Sequence, residues 1–364
     1  MIGVLGSSGY KASWQTGIVD ALEDIAQPIR WDLASGGTMP GLAIAAGINK
    51  RWRRIMNAGA PGHAALATAD GLRWLERLNL DLAGVYDLSA IEAWLESWLA
   101  WAGVRTFADL RYRPGERQPP GVAHRVGICV SMWRSDRPYP RQCDAEELAT
   151  PQFVHRAFRW AFFGRQFPFR KFHQLWVPDT VADHLPWLTD VIDEHSPAWW
   201  ARISMSQWPA CVPTVLQDPE TLQLVFLADG GHIDNQPSLF NTGQRPAFPL
   251  VNPRLAQSRR QLGIRQHSRD VRRMPFGTVI RLPRTPETAC GSLAGARLTW
   301  SDRDAMWERG VVQGHEHFGP AIAELLERSQ QADHLAVEVP GLHGFQAIAA
   351  ASRPHTKRTF GTRS

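Results

Sequence analysis

The sequence predicts an α/β fold in which a mostly parallel sheet lies between helical layers. Two strand–loop–helix units in the first 50 residues support this prediction, because such units build parallel sheets through helical crossovers. The first unit pairs an apolar strand at Ile2–Leu5 with a helix over Ala12–Ile25. The second pairs a strand at Ile29–Ala34 with a helix over Pro40–Ile48, whose proline lies in the first turn, where a missing N–H is harmless.

The rest of the chain adds further helices and strands of the same type. Residues 60–110 have a helical pattern, in which Ser89–Glu92 has the form of a capping box. The helix after it carries an apolar stripe made of Ile91, Trp94, Leu95, Trp98 and Leu99. Three more strands and a late helix are predicted at Val126–Val130, Leu222–Ala228, Thr278–Leu282 and Ala305–Ser329.

Composition places the chain among folded globular proteins. It has 364 residues, 44% of them hydrophobic and 21% charged, and a formal net charge of +5. Its four cysteines form no C-x-x-C pair, which excludes a zinc ribbon and a thioredoxin-type site. No apolar run is long enough to span a membrane, and no basic region precedes the first strand. We therefore expect a cytoplasmic protein without a signal peptide.

The loop after the first strand is a candidate anion site. Ser7, Ser8 and Gly9 follow a buried strand and open a helix, an arrangement that exposes several backbone N–H groups. Such a loop can cradle a phosphate or an oxyanion, or it can be an ordinary tight turn. The P-loop pattern does not fit, because Tyr10 rather than glycine precedes Lys11.

The connection after the second strand has the form of a nucleophile elbow, which exposes a hydroxyl on a sharp strand-to-helix turn. Matching the pattern G-x-S-x-G to residues 36–40 places Thr38 in the serine position, after Gly36 and Gly37. A shift by one residue matches both glycines of the pattern, to Gly37 and Gly41, but places the inert Met39 in the serine position. A simple strand–helix connection is the structural alternative.

A carboxylate follows the later strand. Asp229 precedes Gly230 and Gly231, which let the backbone turn sharply beside it. A carboxylate at such a strand end can act as a general base, or it can stabilise a turn.

Together, these three segments resemble the patatin-like phospholipase family. The family's glycine-rich loop pattern is similar to residues 7–12, its elbow pattern is similar to residues 32–40, and its acid motif D-G-[GA]-x-x-x-N-x-P is present in full from Asp229 to Pro237. Two softer similarities are the family's S-A-I-P segment at Ser206–Pro209 and a helix with T-F-A-D-L at Tyr86–Leu110. The order of these segments covers roughly residues 2–330.

The resemblance implies a three-layer α/β/α patatin-like domain over residues 1–330, with a helical insertion at about 50–120 and a C-terminal extension at 331–364. It implies hydrolysis of a lipid acyl ester through a dyad, with Thr38 as nucleophile in place of the family's serine and Asp229 as base. Residues 7–11 would form the oxyanion hole, and Gly36, Gly37, Gly230 and Gly231 would support the two loops. No metal or cofactor is implied. The alternative is a catalytically silent patatin fold that binds lipid or a protein partner.

The segment from Pro151 to Pro178 combines aromatic and basic residues and lacks acidic ones. Such a mixture suits an anionic membrane surface, single-stranded nucleic acid, or a core whose arginines lie at its border. Since the resemblance implies a lipid substrate, we expect peripheral membrane contact and no nucleic acid. His315 and His317 diverge on a helix, so we expect no metal site there.

Overall fold

We describe a computed structural model of the chain. It describes residues 2–5, 12–21, 30–48, 84, 86–116, 123–162, 173–179, 185–208, 210–232, 277–280, 300–313, 315–316 and 345–348.

Strands and helices alternate over much of the described chain, as an α/β fold requires. The strands are β1 (Ile2–Leu5), β2 (Arg30–Leu33), β3 (Val126–Pro138), β4 (His173–Val177), β5 (Thr214–Gln217), β6 (Gln223–Asp229), β7 (Gly277–Ile280) and β8 (Phe345–Ile348). The helices are α1 (Ala12–Ala21), α2 (Thr38–Ala45), α3 (Ser89–Trp101), α4 (Ala145–Ala149), α5 (Pro151–Phe162), α6 (Leu188–Glu194), α7 (Pro197–Met205) and α8 (Trp300–Gln313).

The larger sheet contains six strands and is mixed rather than mostly parallel. β1 pairs with β2 and β2 with β3 in parallel, as the two N-terminal units predict. β3 pairs antiparallel with both β4 and β6, and β5 pairs antiparallel with β6 through a short hairpin. The prediction of a mostly parallel sheet is therefore wrong for the second half, because β3 is long and its later partners run back along it.

Strand β3 organises this sheet because three strands pair with it. Ile128 lies opposite Val177 of β4 and opposite Leu33 of β2. Val130 likewise lies opposite β4 and opposite Asp229 of β6. Since β4 occupies one edge at both positions, β2 and β6 share the other edge. They approach along it from opposite directions, and their last residues are opposite positions only two apart on β3.

Apolar side chains pack on both faces of the sheet. On one face, Val126, Ile128 and Val130 of β3 pack with residues of α2, α3, α6 and α7. On the other face, Trp133 of β3 stacks on Phe226 of β6, with ring centroids 5.4 Å apart, beside residues of α4 and α5. The alternation follows from the two-residue repeat of a strand, which directs successive side chains to opposite faces.

Most predicted elements occur, but several boundaries differ. Helix α2 begins at Thr38, two residues before the proline that marked its predicted start. The predicted capping box at Ser89 is wrong: Leu88 caps α3, and the Ser89 amide bonds to the Asp87 carboxylate. A capping box forms instead between Thr106 and Asp109, at the start of the short 3-10 helix Phe107–Leu110. In the described residues, the late helix is α8, and β8 of the predicted extension pairs with β7.

A buried ionic cluster lies at the end of the sheet where β2 begins. The fully buried Arg30 guanidinium lies 3.0 Å from Asp32 Oδ1 and 2.6 Å from Asp179 Oδ2. Arg30 also donates to the backbone carbonyl of His124 at 2.8 Å. Burial lowers the pKa of Arg30, but the two carboxylates outweigh it and the pKa is raised. A Cβ on Gly127 would lie 2.0 Å from Arg30 Nη2, so a side chain at this position would displace the guanidinium.

We predict that Arg30→Met destabilises the fold by about 3–5 kcal/mol, because it leaves two buried carboxylates without their cation. Arg141→Met is the matched control: Arg141 pairs with Glu147, but more than half of its side chain is exposed. Such an exposed surface pair contributes little to stability, because solvent screens it. Urea denaturation of both variants measures the difference, and equal losses would contradict the role assigned to the cluster.

Candidate active site

The shared edge of β3 brings two chain turns together. β2 ends at Leu33 and continues into a turn of 3-10 helix at Ser35–Gly37. β6 ends at Asp229 and continues into a similar turn at Gly230–His232. Because the two strands end facing each other, their turns leave the sheet at one place, beside Cys129 of β3.

Ser35 occupies the sharpest point of the first turn. Its φ of 52° lies in the left-handed region, which is rare for residues other than glycine. The Ser35 hydroxyl donates to Asp229 Oδ2 at 2.7 Å, although 193 residues separate the two in the chain (229 − 35 − 1). Both side chains are largely buried, and Ser35 is 8% exposed. A serine held in this conformation at a strand-to-helix turn is the geometry of a nucleophile elbow.

Asp229 is fixed on all sides. Its Oδ1 accepts the Gly231 amide at 2.6 Å, its own amide donates to the Ser206 carbonyl, and its carbonyl accepts the Ser131 hydroxyl. Burial raises the pKa of the Asp229 carboxyl to about 7, against the hydrogen bonds from Ser35 and Gly231, which lower it. A carboxylate with a pKa near neutrality, bonded to a serine hydroxyl, can act as a general base.

Thr38 does not take the position that the sequence predicts. It is fully buried in the first turn of α2, and its hydroxyl donates to the Ser35 carbonyl at 2.6 Å. The predicted pairing of Thr38 with Asp229 is therefore replaced by that of Ser35. The physical reason is that the chain turns immediately after Ala34, and by residue 38 it has already entered the helix.

The predicted loop glycines have separate roles. A Cβ on Gly230 would lie 2.4 Å from the Cys129 carbonyl oxygen, so the backbone can approach β3 this closely only without a side chain. Gly231 supplies the amide that bonds to Asp229. Gly36 and Gly37 are buried within the elbow turn. Gly41, the second glycine of the shifted elbow match, lets α2 approach β2, since a Cβ there would lie 2.0 Å from the Leu33 side chain.

His232 is a site-supporting residue that the sequence analysis missed. Its Nε2 accepts the Trp208 amide at 3.0 Å, and burial lowers its pKa to about 4. The ring is therefore neutral near physiological pH and can serve as an acceptor. It ties the turn after Asp229 to the Ser206–Trp208 segment, which the resemblance had placed near the acid.

The predicted oxyanion-hole residues Ser7, Ser8, Gly9, Tyr10 and Lys11 lie outside the described residues. Within the described ranges, no group of three or more candidate ligands could hold a metal ion. His315 is exposed at the surface.

In the described part of the aromatic and basic segment, buried rings of α5 pack in the core. Phe153 and Phe158 of α5 are buried, while the Arg156 side chain is 67% exposed and Arg137 lies over the Trp160 ring at 4.6 Å. These rings match the core alternative that the sequence left open. Residues 163–172 of the segment lie outside the described residues. Of the helices that can be described, none is long and apolar enough to cross a membrane.

A scan against protein-family models found no match, and a search of curated proteins found no significant relative. The resemblance to the patatin-like phospholipases therefore depends on the motif residues alone.

We predict that Asp229→Asn stabilises the protein at alkaline pH. The folded-state pKa of Asp229 lies above the unfolded value of about 3.9, so the stability that its protonated form contributes is lost as pH rises towards 7. Asparagine never carries this buried charge. Its advantage in unfolding free energy should be about 3 kcal/mol larger at about pH 8 than at about pH 4.5.

Asp218→Asn is the control, because Asp218 is also a buried aspartate beside β6. Burial raises its pKa, but amide hydrogen bonds from Thr221 and Glu220 outweigh this and the pKa is lowered. Its stabilising contribution is present above about pH 4, so this variant should lose similar stability at both pH values. Denaturant titrations at both pH values measure the unfolding free energies of the two variants. A pH-independent effect of Asp229→Asn would contradict the raised pKa of Asp229.

Proposed function

We propose that this protein hydrolyses carboxylic esters through a Ser35–Asp229 dyad. The observation that carries the proposal is the 2.7 Å hydrogen bond from a left-handed serine to a buried aspartate with a raised pKa. A nucleophile within hydrogen-bond reach of its base, each fixed by separate backbone contacts, is the arrangement that covalent catalysis needs.

The reaction proceeds in two halves. Asp229 accepts the hydroxyl proton while Ser35 Oγ bonds to the carbonyl carbon, which gives a tetrahedral oxyanion. Its collapse breaks the ester C–O bond, and the leaving alcohol takes the proton from Asp229. A water molecule then attacks the acyl-serine with Asp229 again as base. The second collapse releases the carboxylic acid and returns the proton to Ser35.

The oxyanion requires N–H donors beside the nucleophile. In elbow hydrolases, the amide after the nucleophile supplies one donor, and Gly36 holds that position here. The patatin resemblance assigns the others to the amides of Ser8, Gly9 and Tyr10. One such donor contributes about 10²–10³-fold in rate.

The substrate class follows from the resemblance rather than from the geometry. The patatin-like acid motif at Asp229 supports a lipid acyl ester as substrate, and we extend the proposal to the family's three-layer arrangement, with peripheral contact to an anionic membrane surface. The silent alternative drew its support from three departures from the family patterns, namely Thr38 in place of serine, Pro40 in place of a glycine, and Ser7, Ser8 and Ala12 in place of loop glycines. With Ser35 at the elbow, the first of these objections to catalysis no longer applies.

We predict that Ser35→Ala lowers kcat for a p-nitrophenyl ester by at least about 10³-fold, because it removes the nucleophile. Thr38→Val keeps the shape of Thr38 and leaves the Ser35 hydroxyl in place, and it removes only the hydrogen bond to the Ser35 carbonyl. The expected loss is therefore smaller, at most about 10²-fold. Steady-state hydrolysis by the purified variants measures both. A severe loss in Thr38→Val with activity retained in Ser35→Ala would return the nucleophile to Thr38, and equal rates in all variants would remove the hydrolase proposal.

We also predict that kcat/KM rises with pH through an inflection near 7. The base must be ionised to accept the serine proton, and burial raises the pKa of Asp229 to about 7. The profile is measured with an ester whose own hydrolysis is subtracted at each pH. Activity that falls over this range, or an inflection near 4, would contradict Asp229 as the base.

A further inference from the structure

The buried hydroxyl of Ser204 links the elbow to the central strand. Ser204 lies on α7 and is fully buried. Its Oγ accepts the Ser35 amide at 3.0 Å and donates to the Cys129 carbonyl of β3 at 2.7 Å. We infer that Ser204 is a positioning residue for the ester hydrolysis, an inference that depends on the proposed function.

The direction of these two bonds makes the link specific. A serine hydroxyl has one hydrogen, and here it points to the Cys129 carbonyl, which leaves a lone pair for the Ser35 amide. Cys129 lies on β3 between Ile128 and Val130, the positions opposite the ends of β2 and β6. Ser204 therefore positions the nucleophile relative to the same stretch of backbone that holds Asp229.

The left-handed conformation of Ser35 explains why this link matters. Such a conformation persists in a residue with a Cβ only when the surroundings hold it. Ser204 bonds to the amide of Ser35 and Thr38 to its carbonyl, so both backbone groups are held. Without the Ser204 hydroxyl, the buried Ser35 amide loses its acceptor, and rotation towards a right-handed conformation moves Oγ away from Asp229.

Helix α7 is itself fixed against α3. Its N-cap, Ser196, donates from its hydroxyl to Glu96 Oε1 at 2.6 Å. Further along, Arg202 Nε lies 2.6 Å from Glu92 Oε2. The position of Ser204 is thus set by contacts that do not involve the elbow.

Ser135 offers a matched control on the far part of β3. It is buried like Ser204, donates to the Arg137 carbonyl at 2.7 Å and accepts the Leu224 amide at 3.0 Å. Both serines join a backbone amide to a backbone carbonyl with the same bond lengths. They differ in what they hold, since Ser135 contacts neither the elbow nor Asp229.

The test compares Ser204→Ala with Ser135→Ala in the full chain. We expect similar losses of thermal stability, but a fall in kcat of about 10²-fold with little change in KM only for Ser204→Ala, because only the nucleophile is misplaced. Hydrogen–deuterium exchange at the Ser35 amide should accelerate only in Ser204→Ala. If that variant does not fold, Ser204→Cys keeps a similar volume with weaker hydrogen bonds and permits the same comparison.

The outcomes separate the two proposals. Values of kcat within threefold of each other in the two variants, or unchanged exchange at Ser35, would overturn the role of Ser204 while leaving the dyad intact. A wild-type protein that hydrolyses no ester would overturn the proposed function. Exchange at Ser35 would then still decide whether Ser204 holds the elbow.

Discussion

The candidate site depends on the pairing of two strands with one edge of β3. β2 runs parallel to β3 and β6 runs antiparallel, so their final residues meet near Cys129. Strand pairing fixes both ends to within the spacing of the hydrogen-bond ladder. Ser35 and Asp229 are remote in the chain, and this constraint brings the Ser35 hydroxyl oxygen within 2.7 Å of Asp229 Oδ2. Residue 230 is then a glycine because its backbone lies close to the Cys129 carbonyl of β3.

Buried carboxylates near the two ends of β2 have different surroundings. Near the start of β2, Asp32 and Asp179 form ion pairs with the guanidinium of Arg30. At the elbow, Asp229 receives hydrogen bonds from a hydroxyl and an amide, and burial dominates its pKa. The first arrangement stabilises the fold by pairing charge. The second retains a poorly solvated carboxylate, which costs stability and has a pKa near neutrality.

The sequence predicted the elements more reliably than their arrangement. Apolar runs and helical stripes located β1, β2 and α3, because local periodicity records which face is buried. The mixed sheet was missed, since nothing local to β3 shows that its later partners run antiparallel. Asp229 was singled out because its motif is local, and one glycine of that motif, Gly230, has a steric role.

The hydroxyl that bonds to Asp229 belongs to Ser35, three residues before the nucleophile that the sequence predicted, and the difference has a definable reason. Matching the first glycine of the elbow pattern to Gly36 selected Thr38, whereas the turn needs left-handed backbone at Ser35. The signal available in the sequence was the position of Ser35 directly after the β2 strand, with Gly37 two residues later as in the elbow pattern. The backbone conformation of Ser35 is set by its contacts with Thr38 of α2 and Ser204 of α7. A linear pattern does not contain that information.

The most direct measurement is to identify the residue that a fluorophosphonate modifies, using peptide mass spectrometry of the wild-type protein and of Asp229→Asn. Such reagents phosphonylate an activated hydroxyl, with fluoride as the leaving group, and leave it covalently marked. We expect one adduct on Ser35 in the wild type and little adduct in the variant. An adduct on Thr38, or none on either hydroxyl under conditions that label a known serine esterase, would contradict it.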